Sequence, residues 1–204
     1  MEMEMRMMEK KNKEIRCVQA EMRALDNETD EMIIEGYPII FNSPATHGWT
    51  EIIDERALDN TDMTDVPLKY NHDDSHLIMA RTRNNSLELK KDEKGLYMRA
   101  TLIDTQSNKD IYKSIKSGLL DKMSFAFIVD KDEYDYDTDT RKILSIEKLF
   151  DVSVVDMPFY DATSVYARGL EASDFEEKRQ QLREQEEQKR ALEAKKKEIL
   201  AKLG

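Results

Sequence analysis

Three histidines bound the chemistry open to this chain. His72 lies in Tyr70-Asn71-His72-Asp73-Asp74, His76 follows four residues later, and His47 sits in a Thr-His-Gly turn. Histidines at i and i+4 share a helix face and, joined by Asp73 or Asp74, would suit a metal ion. Against this, Asn71 to Ser75 reads as a loop and no further ligand group is marked. The other chemistry is nucleophilic. Ser124 stands in Lys122-Met123-Ser124-Phe125-Ala126-Phe127, at the start of an apolar run. A serine hydroxyl is a poor nucleophile until an imidazole takes its proton, and that imidazole needs a third group, usually a carboxylate, to fix its tautomer. Asp151, in Leu149-Phe150-Asp151-Val152-Ser153-Val154-Val155, is an acid inside an apolar strand, which is costly unless it meets solvent or a partner. Alternation puts Asp151, Ser153 and Val155 on one face. That face can equally be the solvent side, so the pattern leaves a Ser124–His72–Asp151 triad, a metal pair and a plain solvated face all open.

Other candidates have bland readings. Ser153 lies on the predicted face of Asp151 and can hydrogen-bond the edge of a site; Ser117 is an ordinary loop serine. Asp130, Asp132 and Tyr134-Asp135-Tyr136-Asp137-Thr138-Asp139 form an acid-dense stretch, but the glycine that a calcium loop needs at its sixth position is missing, which favours a solvated hairpin tip. Cys17 reads as a small packed hydrophobe. Trp49 reads as an anchor for the core or a partner.

The elements that must position these residues are mostly strands. Ile15, Val18 and Met32–Phe41 open the series, followed by Val66–Tyr70, Leu77–Thr82, Ser86–Leu89, Leu96–Ile103, Met123–Val129 and Ile143–Val155. Asn84-Asn85 and Lys94-Gly95 supply turns. Helices are expected at Glu55–Asn60 and Asn108–Ser117, the second ending at Gly118 as its C′ glycine. Thr163–Ala167 is a further strand candidate after Pro158. Many short strands with two short helices predict a mainly β, α+β fold: a compact antiparallel barrel or sandwich.

The flanks differ in texture. Residues 1–13 form a Met- and charge-rich extension, and 169–204 a nearly neutral charged helix with Glu186–Arg190, Glu193–Lys197 and Glu198–Lys202 pairs in the favourable i,i+4 order. Its heptad seam is broken by Lys189 and Lys196, which predicts a solvated helix. The core domain is expected at 14–168. A formal charge of -11 over 204 residues, with no basic run, argues against nucleic acid as a partner. No apolar stretch has the length of a membrane span, and one cysteine allows no internal disulfide. These features predict a soluble intracellular protein with no membrane partner.

A family resemblance narrows the choice. In order along the chain, Ile34-Glu35-Gly36-Tyr37 with Phe41-Asn42-Ser43, Trp49-Thr50-Glu51-Ile52-Ile53 with Ala57-Leu58, and Asn71-His72-Asp73 match its motifs. Asp92-Glu93-Lys94-Gly95-Leu96, Thr101-Leu102-Ile103-Asp104-Thr105, Gly118 with Met123-Ser124-Phe125-Ala126-Phe127, and Phe150-Asp151-Val152-Ser153-Val154-Val155 with Pro158 continue the match. Together these stretches resemble the prohead, or capsid maturation, serine proteases of tailed bacteriophages, which are distantly similar to the herpesvirus assembly proteases. The resemblance implies a β-barrel and peptide hydrolysis with Ser124 as nucleophile, His72 as general base and Asp151 as third member, without cofactor or metal. It further implies major capsid protein and scaffold segments as substrates, removal of the C-terminal tail by the enzyme itself, homo-oligomers, and action inside the assembling procapsid in the host cytoplasm. Ala80 and Ala126 stand where the family commonly has Gly, Asp151 where it has Glu, and Ala57-Leu58 lacks the flanking Gly and Phe. The added methyl at 126 is expected to crowd the approach of a substrate backbone. The two alanines and the long tail motivate one competing function, a non-catalytic scaffold or assembly chaperone that keeps the barrel but acts through the charged helix; His72 and His76 motivate another, a metal-dependent hydrolase.

Overall fold

The computed structural model describes residues 13–18, 22–25, 31–46 and 50–156, together with Glu184, Arg190 and Lys195. The chain forms two compact units, Met1–Ser164 and Val165–Gly204. In the second, the three described residues are helical and exposed; the rest of the expected charged helix lies outside the described residues, as do His47, Trp49, Pro158 and Thr163–Ala167.

The described part of the first unit is mostly β. Its strands are β1 (Lys13–Val18), β2 (Arg23–Leu25), β3 (Met32–Ile40), β4 (Ala45–Thr46), β5 (Thr50–Ile53), β6 (Pro67–Tyr70), β7 (Ala80–Arg81), β8 (Leu87–Lys91), β9 (Gly95–Leu102), β10 (Lys122–Asp135) and β11 (Thr140–Val155). A single-turn 3-10 helix, Thr82–Asn84, precedes β8, and one α-helix, α1 (Gln106–Lys116), precedes β10.

Among the described residues the strands make two sheets. One runs β1-β10-β11-β5-β4, with β6 also on β11 and β7 on β6; the other runs β2-β3-β9-β8. The closed, all-antiparallel barrel expected above is therefore corrected. Among the described residues no strand pair links the two sheets, and at one edge of the larger sheet β4 and β7 have only two residues each. The outer edge of β11 is shared by β5, alongside Thr140–Ile143, and β6, alongside Val152–Val154, both parallel to it. Side chains join the sheets instead: Ile34, Leu96 and Met98 from one and Phe125, Phe127, Leu149 and Val152 from the other belong to one buried apolar cluster, with Ile111 and Ile115 of α1. Burying such side chains contributes about 1.5–3 kcal/mol each.

Local chemistry explains the helix outcomes. The Thr105 hydroxyl accepts the Asn108 N–H at the start of α1. At its end Gly118 takes φ +75° while Leu119 N–H donates to Ser114 O and Gly118 N–H to Ile115 O, the Schellman pattern. This stop turns the chain straight into the strand carrying Ser124. Glu55–Asn60, by contrast, is a run of turns rather than the expected helix. The Ala57 carbonyl accepts Ile146 N–H of β11, so it is drawn away from a continuing helical ladder. Leu77–Thr82 is strand only at Ala80–Arg81; Leu77 is 76% exposed.

β3 shifts register between Gly36 and Ile39, and there the backbone of β9 comes close. A Cβ on Gly95 would stand 2.0 Å from Ile39 O. Gly95→Ala is therefore expected to cost about 3 kcal/mol, read as a lower urea midpoint with an unchanged slope.

Candidate active site

The long β10–β11 hairpin supplies two of the site's groups. Ser124 pairs with Ser153, and Ala126 with Asp151; because Phe127 then pairs with Leu149, Phe150 is bulged out of the ladder. Ser124, Asp151 and Ser153 are all at most 1% exposed. Their shared face is thus interior, which removes the solvent-side reading.

His72 arrives from the other side of β11. β6 runs parallel to it, with Lys69 opposite Ser153 and Tyr70 opposite Val154, and Asn71 N–H extends the ladder to Val154 O at 2.9 Å. The chain then reverses. Asn71 and His72 take φ of 52° and 54°, and Asp73 N–H closes the turn on Tyr70 O at 3.0 Å. Two successive positive φ values are the mark of the tight primed turn, and holding a histidine there stores of the order of 1 kcal/mol or more. The return is placement: the imidazole drops between Asp151 and Ser124.

His72 Nδ1 lies 2.5 Å from Asp151 Oδ1, and Nε2 lies 2.6 Å from Ser124 Oγ. Ser153 knits the group together. Its hydroxyl donates to Asp151 Oδ1 at 3.0 Å and accepts the His72 backbone N–H at 3.3 Å. With the carboxylate accepting from Nδ1–H, Nε2 is left to accept the serine proton, the tautomer that nucleophilic chemistry needs. The serine proton has a second acceptor, Arg16 O at 2.8 Å on β1. One hydroxyl hydrogen serves only one of the two at a time.

Asp151 is held below the usual carboxylate range. Burial pushes it up, but the hydrogen bond and charge of His72, then the charge of Lys13 and the Ser153 hydroxyl, outweigh it. Lys13 Nζ stands 3.7 Å from Oδ2, which accepts no hydrogen bond among the described residues. A depressed folded pKa means that ionised Asp151 stabilises the fold above its unfolded value and loses that contribution as pH falls through the folded one. Asp151→Asn is therefore expected to melt lower than wild type at pH 7, with the gap closing below about pH 4 in melts taken across pH.

The other sequence candidates are not drawn in. His76 Nδ1 faces Asp73 Oδ2 at 3.4 Å, while His72 turns toward Ser124; the two histidines do not converge on a metal. Among the described residues no group of three His, Cys, Asp or Glu side chains could hold a metal ion. In the acid-dense hairpin tip Asp135 accepts from Asp137 N–H and the Thr138 hydroxyl, and Asp132 pairs with Arg141. The Ala126 methyl does not exclude a neighbouring strand, since Ile15 of β1 pairs with it directly. Cys17 lies in β1 opposite Ser124; its side chain is outside the described set.

Sequence reasoning missed one cluster. Glu51 and Arg141, neighbours across the β5–β11 pair, are 5% and 4% exposed and lie 3.0 Å apart. They receive two side chains of β1: Arg16 Nε donates to Glu51 Oε1 at 2.5 Å and Arg16 Nη2 to Oε2 at 2.9 Å, while Arg141 holds both oxygens of Glu14 at 2.7 and 2.9 Å. The available signal was the lone acid in Thr50-Glu51-Ile52-Ile53, a charge in a strand that must find a partner.

A family model described as caudovirus prohead serine protease matches residues 18–189. The prohead protease of Enterobacteria phage HK97 is 30% identical over 139 residues, covering 66% of this chain and 59% of the relative. The chain thus spans about three fifths of that relative's length. The capsid assembly protease of bacteriophage T4 aligns in structure with a TM-score of 0.44 at 12% identity, over 70% of this chain and 98% of that one. The chain belongs to the caudovirus prohead serine proteases, a family of serine peptidases.

Proposed function

We propose that this chain is a serine endopeptidase that cleaves scaffold and capsid-protein segments, and its own tail, during phage prohead maturation. The observation that supports it most is the unbroken line Ser124 Oγ, His72 Nε2, His72 Nδ1, Asp151 Oδ1, with contacts of 2.6 and 2.5 Å. In this reading His72 takes the Ser124 proton as Oγ bonds to the scissile carbonyl carbon. The same proton passes to the departing amine as the C–N bond breaks. Water then gives a proton to His72 and its oxygen to the acyl carbon; the acid leaves, and Ser124 recovers its proton. Asp151 stays ionised throughout, fixing the tautomer and balancing the imidazolium. Ser153 positions Asp151 and the His72 backbone.

The peptidase domain is placed at 14–168, after an N-terminal extension, with 169–204 as a scaffold-like helical tail removed in maturation. The site of action is the assembling procapsid, and homo-oligomerisation there is the proposed control on activity. Net charge of -11 leaves nucleic acid out of the proposal. Among the described residues no helix is long and apolar enough to cross a membrane. The test is cleavage of capsid-protein and scaffold segments, followed by gel with wild type and Ser124→Ala. Equal cleavage by both would remove the peptidase reading, and a scaffold or chaperone role would take its place.

A further inference from the structure

β1 is an extended six-residue segment at the edge of its sheet, paired along its whole length with the strand that carries Ser124. Its register is antiparallel, Lys13 opposite Ile128 and Val18 opposite Met123. It presents a peptide carbonyl, that of Arg16, to the Ser124 hydroxyl at 2.8 Å. An extended peptide added beside a nucleophile strand is how a protease substrate is held; here the hydroxyl donates to the carbonyl oxygen, so β1 shows the register of such a peptide and not its attack geometry. The bond after that carbonyl joins Arg16 to Cys17. The side chain just before the bond is basic and ends on buried Glu51; the one two residues earlier is acidic and ends on buried Arg141.

We propose that Glu51 and Arg141 set the cleavage specificity of this enzyme. They select peptides with a basic residue immediately before the cut bond and an acidic residue two positions upstream of it. β1, reading Glu14-Ile15-Arg16 before Cys17, lies in the groove as the chain's own example of such a peptide. This rests on the peptidase reading above and adds the substrate class to it.

The physical case is one of matched, buried charge. Arg16 meets Glu51 through two parallel hydrogen bonds, and Arg141 meets Glu14 likewise, geometry that a planar guanidinium and a carboxylate satisfy together. The two readers come from β5 and β11 and are in contact with each other, so the pocket belongs to the body of the fold and not to β1. Glu14 sits below the usual carboxylate range, its burial outweighed by Arg141 and Arg16. A peptide with glutamine in place of arginine would leave Glu51 with Arg141 alone as its charged partner in a dry site. A peptide with glutamate there would place two like charges together. Losing one member of such a buried pair lowers recognition by about thirty-fold or more.

The test uses the full chain and a panel of fluorogenic peptides spanning Glu-Ile-Arg-Cys-Val. Arg is varied to Lys, Gln and Glu, and Glu to Gln and Lys. Displacing β1 slows all of them alike, so ratios of kcat/KM report the groove alone. Expected are Arg and Lys above Gln by about thirty-fold and above Glu by more, and a smaller loss on removing the upstream acid. Glu51→Gln should shrink the Arg-to-Gln ratio to a few-fold, and Arg16→Glu, which turns β1 against Glu51, should raise kcat/KM for every peptide. A purely structural ion cluster would instead lose activity with Arg16→Glu and keep all ratios unchanged. If Glu51→Gln fails to fold, the wild-type panel still decides. Cleavage without preference for a basic residue overturns this proposal and leaves the peptidase reading standing. No cleavage of any peptide, with Ser124 still labelled by a fluorophosphonate, also overturns it. No cleavage and no label ends the peptidase reading itself.

Discussion

Ser124→Ala should fold as the wild type does and lose about four to six powers of ten in kcat, with little change in substrate affinity. The substitution removes one buried oxygen that touches His72 and Arg16 O, and His72 keeps its bond to Asp151. Affinity is carried by the strand ladder and by Glu51 and Arg141, none of which the change disturbs. Residual hydrolysis then reflects positioning alone. The check is single-turnover cleavage of a basic-site peptide by both proteins, with circular dichroism to show an unchanged fold. A variant that cuts within ten-fold of wild type would place the nucleophile elsewhere.

Asp151→Asn should be nearly as severe, at about ten-thousand-fold in kcat, for a different reason. The amide fills the same space, but one of its two groups is a donor. If its NH₂ faces His72, Nδ1 must accept, the ring proton moves to Nε2, and the base that should take the Ser124 proton is already occupied. Lys13 favours that flip, since its ammonium stands 3.7 Å from Oδ2 and draws the amide oxygen there, whereas the Ser153 hydroxyl, which donates to Oδ1 at 3.0 Å, opposes it. The loss should ease as pH rises, because hydroxide can take over part of the base's work, whereas the Ser124→Ala loss should not. Profiles of kcat/KM against pH for the two variants separate the roles: parallel profiles would mean that Asp151 is only a structural acid.

Much of the site was legible in the sequence because each of its groups broke a local rule. An acid amid Leu149, Phe150, Val152 and Val154, a serine opening an apolar strand and a histidine straight after another strand are residues whose placement needs a reason. What single-strand alternation could not show was that the face of Asp151 points inward. That face is closed by His72, which the turn after β6 brings onto it from a segment some eighty residues away. The fold was legible as to content and less so as to closure. The β3, β9 and β10–β11 segments and the Gly118 stop stand where the apolar runs and turn residues put them. The expected Glu55–Asn60 helix failed because Ile146 of β11 takes the Ala57 carbonyl, and the closed barrel failed because no edge strand of one sheet pairs with the other among the described residues. Arg16 and Arg141 stayed invisible because each reads as an ordinary surface charge until distant strands bring them to Glu51, the one member of the cluster that broke a local rule.

The proposed chemistry requires Ser124 to be activated by His72. Reacting the full chain with a small fluorophosphonate and mapping the adduct by peptide mass spectrometry tests this directly. The prediction is a single adduct on Ser124, formed with a pH dependence set by one deprotonation and reduced to background in His72→Ala. An adduct on another serine, or labelling of Ser124 at the same rate without His72, would contradict it.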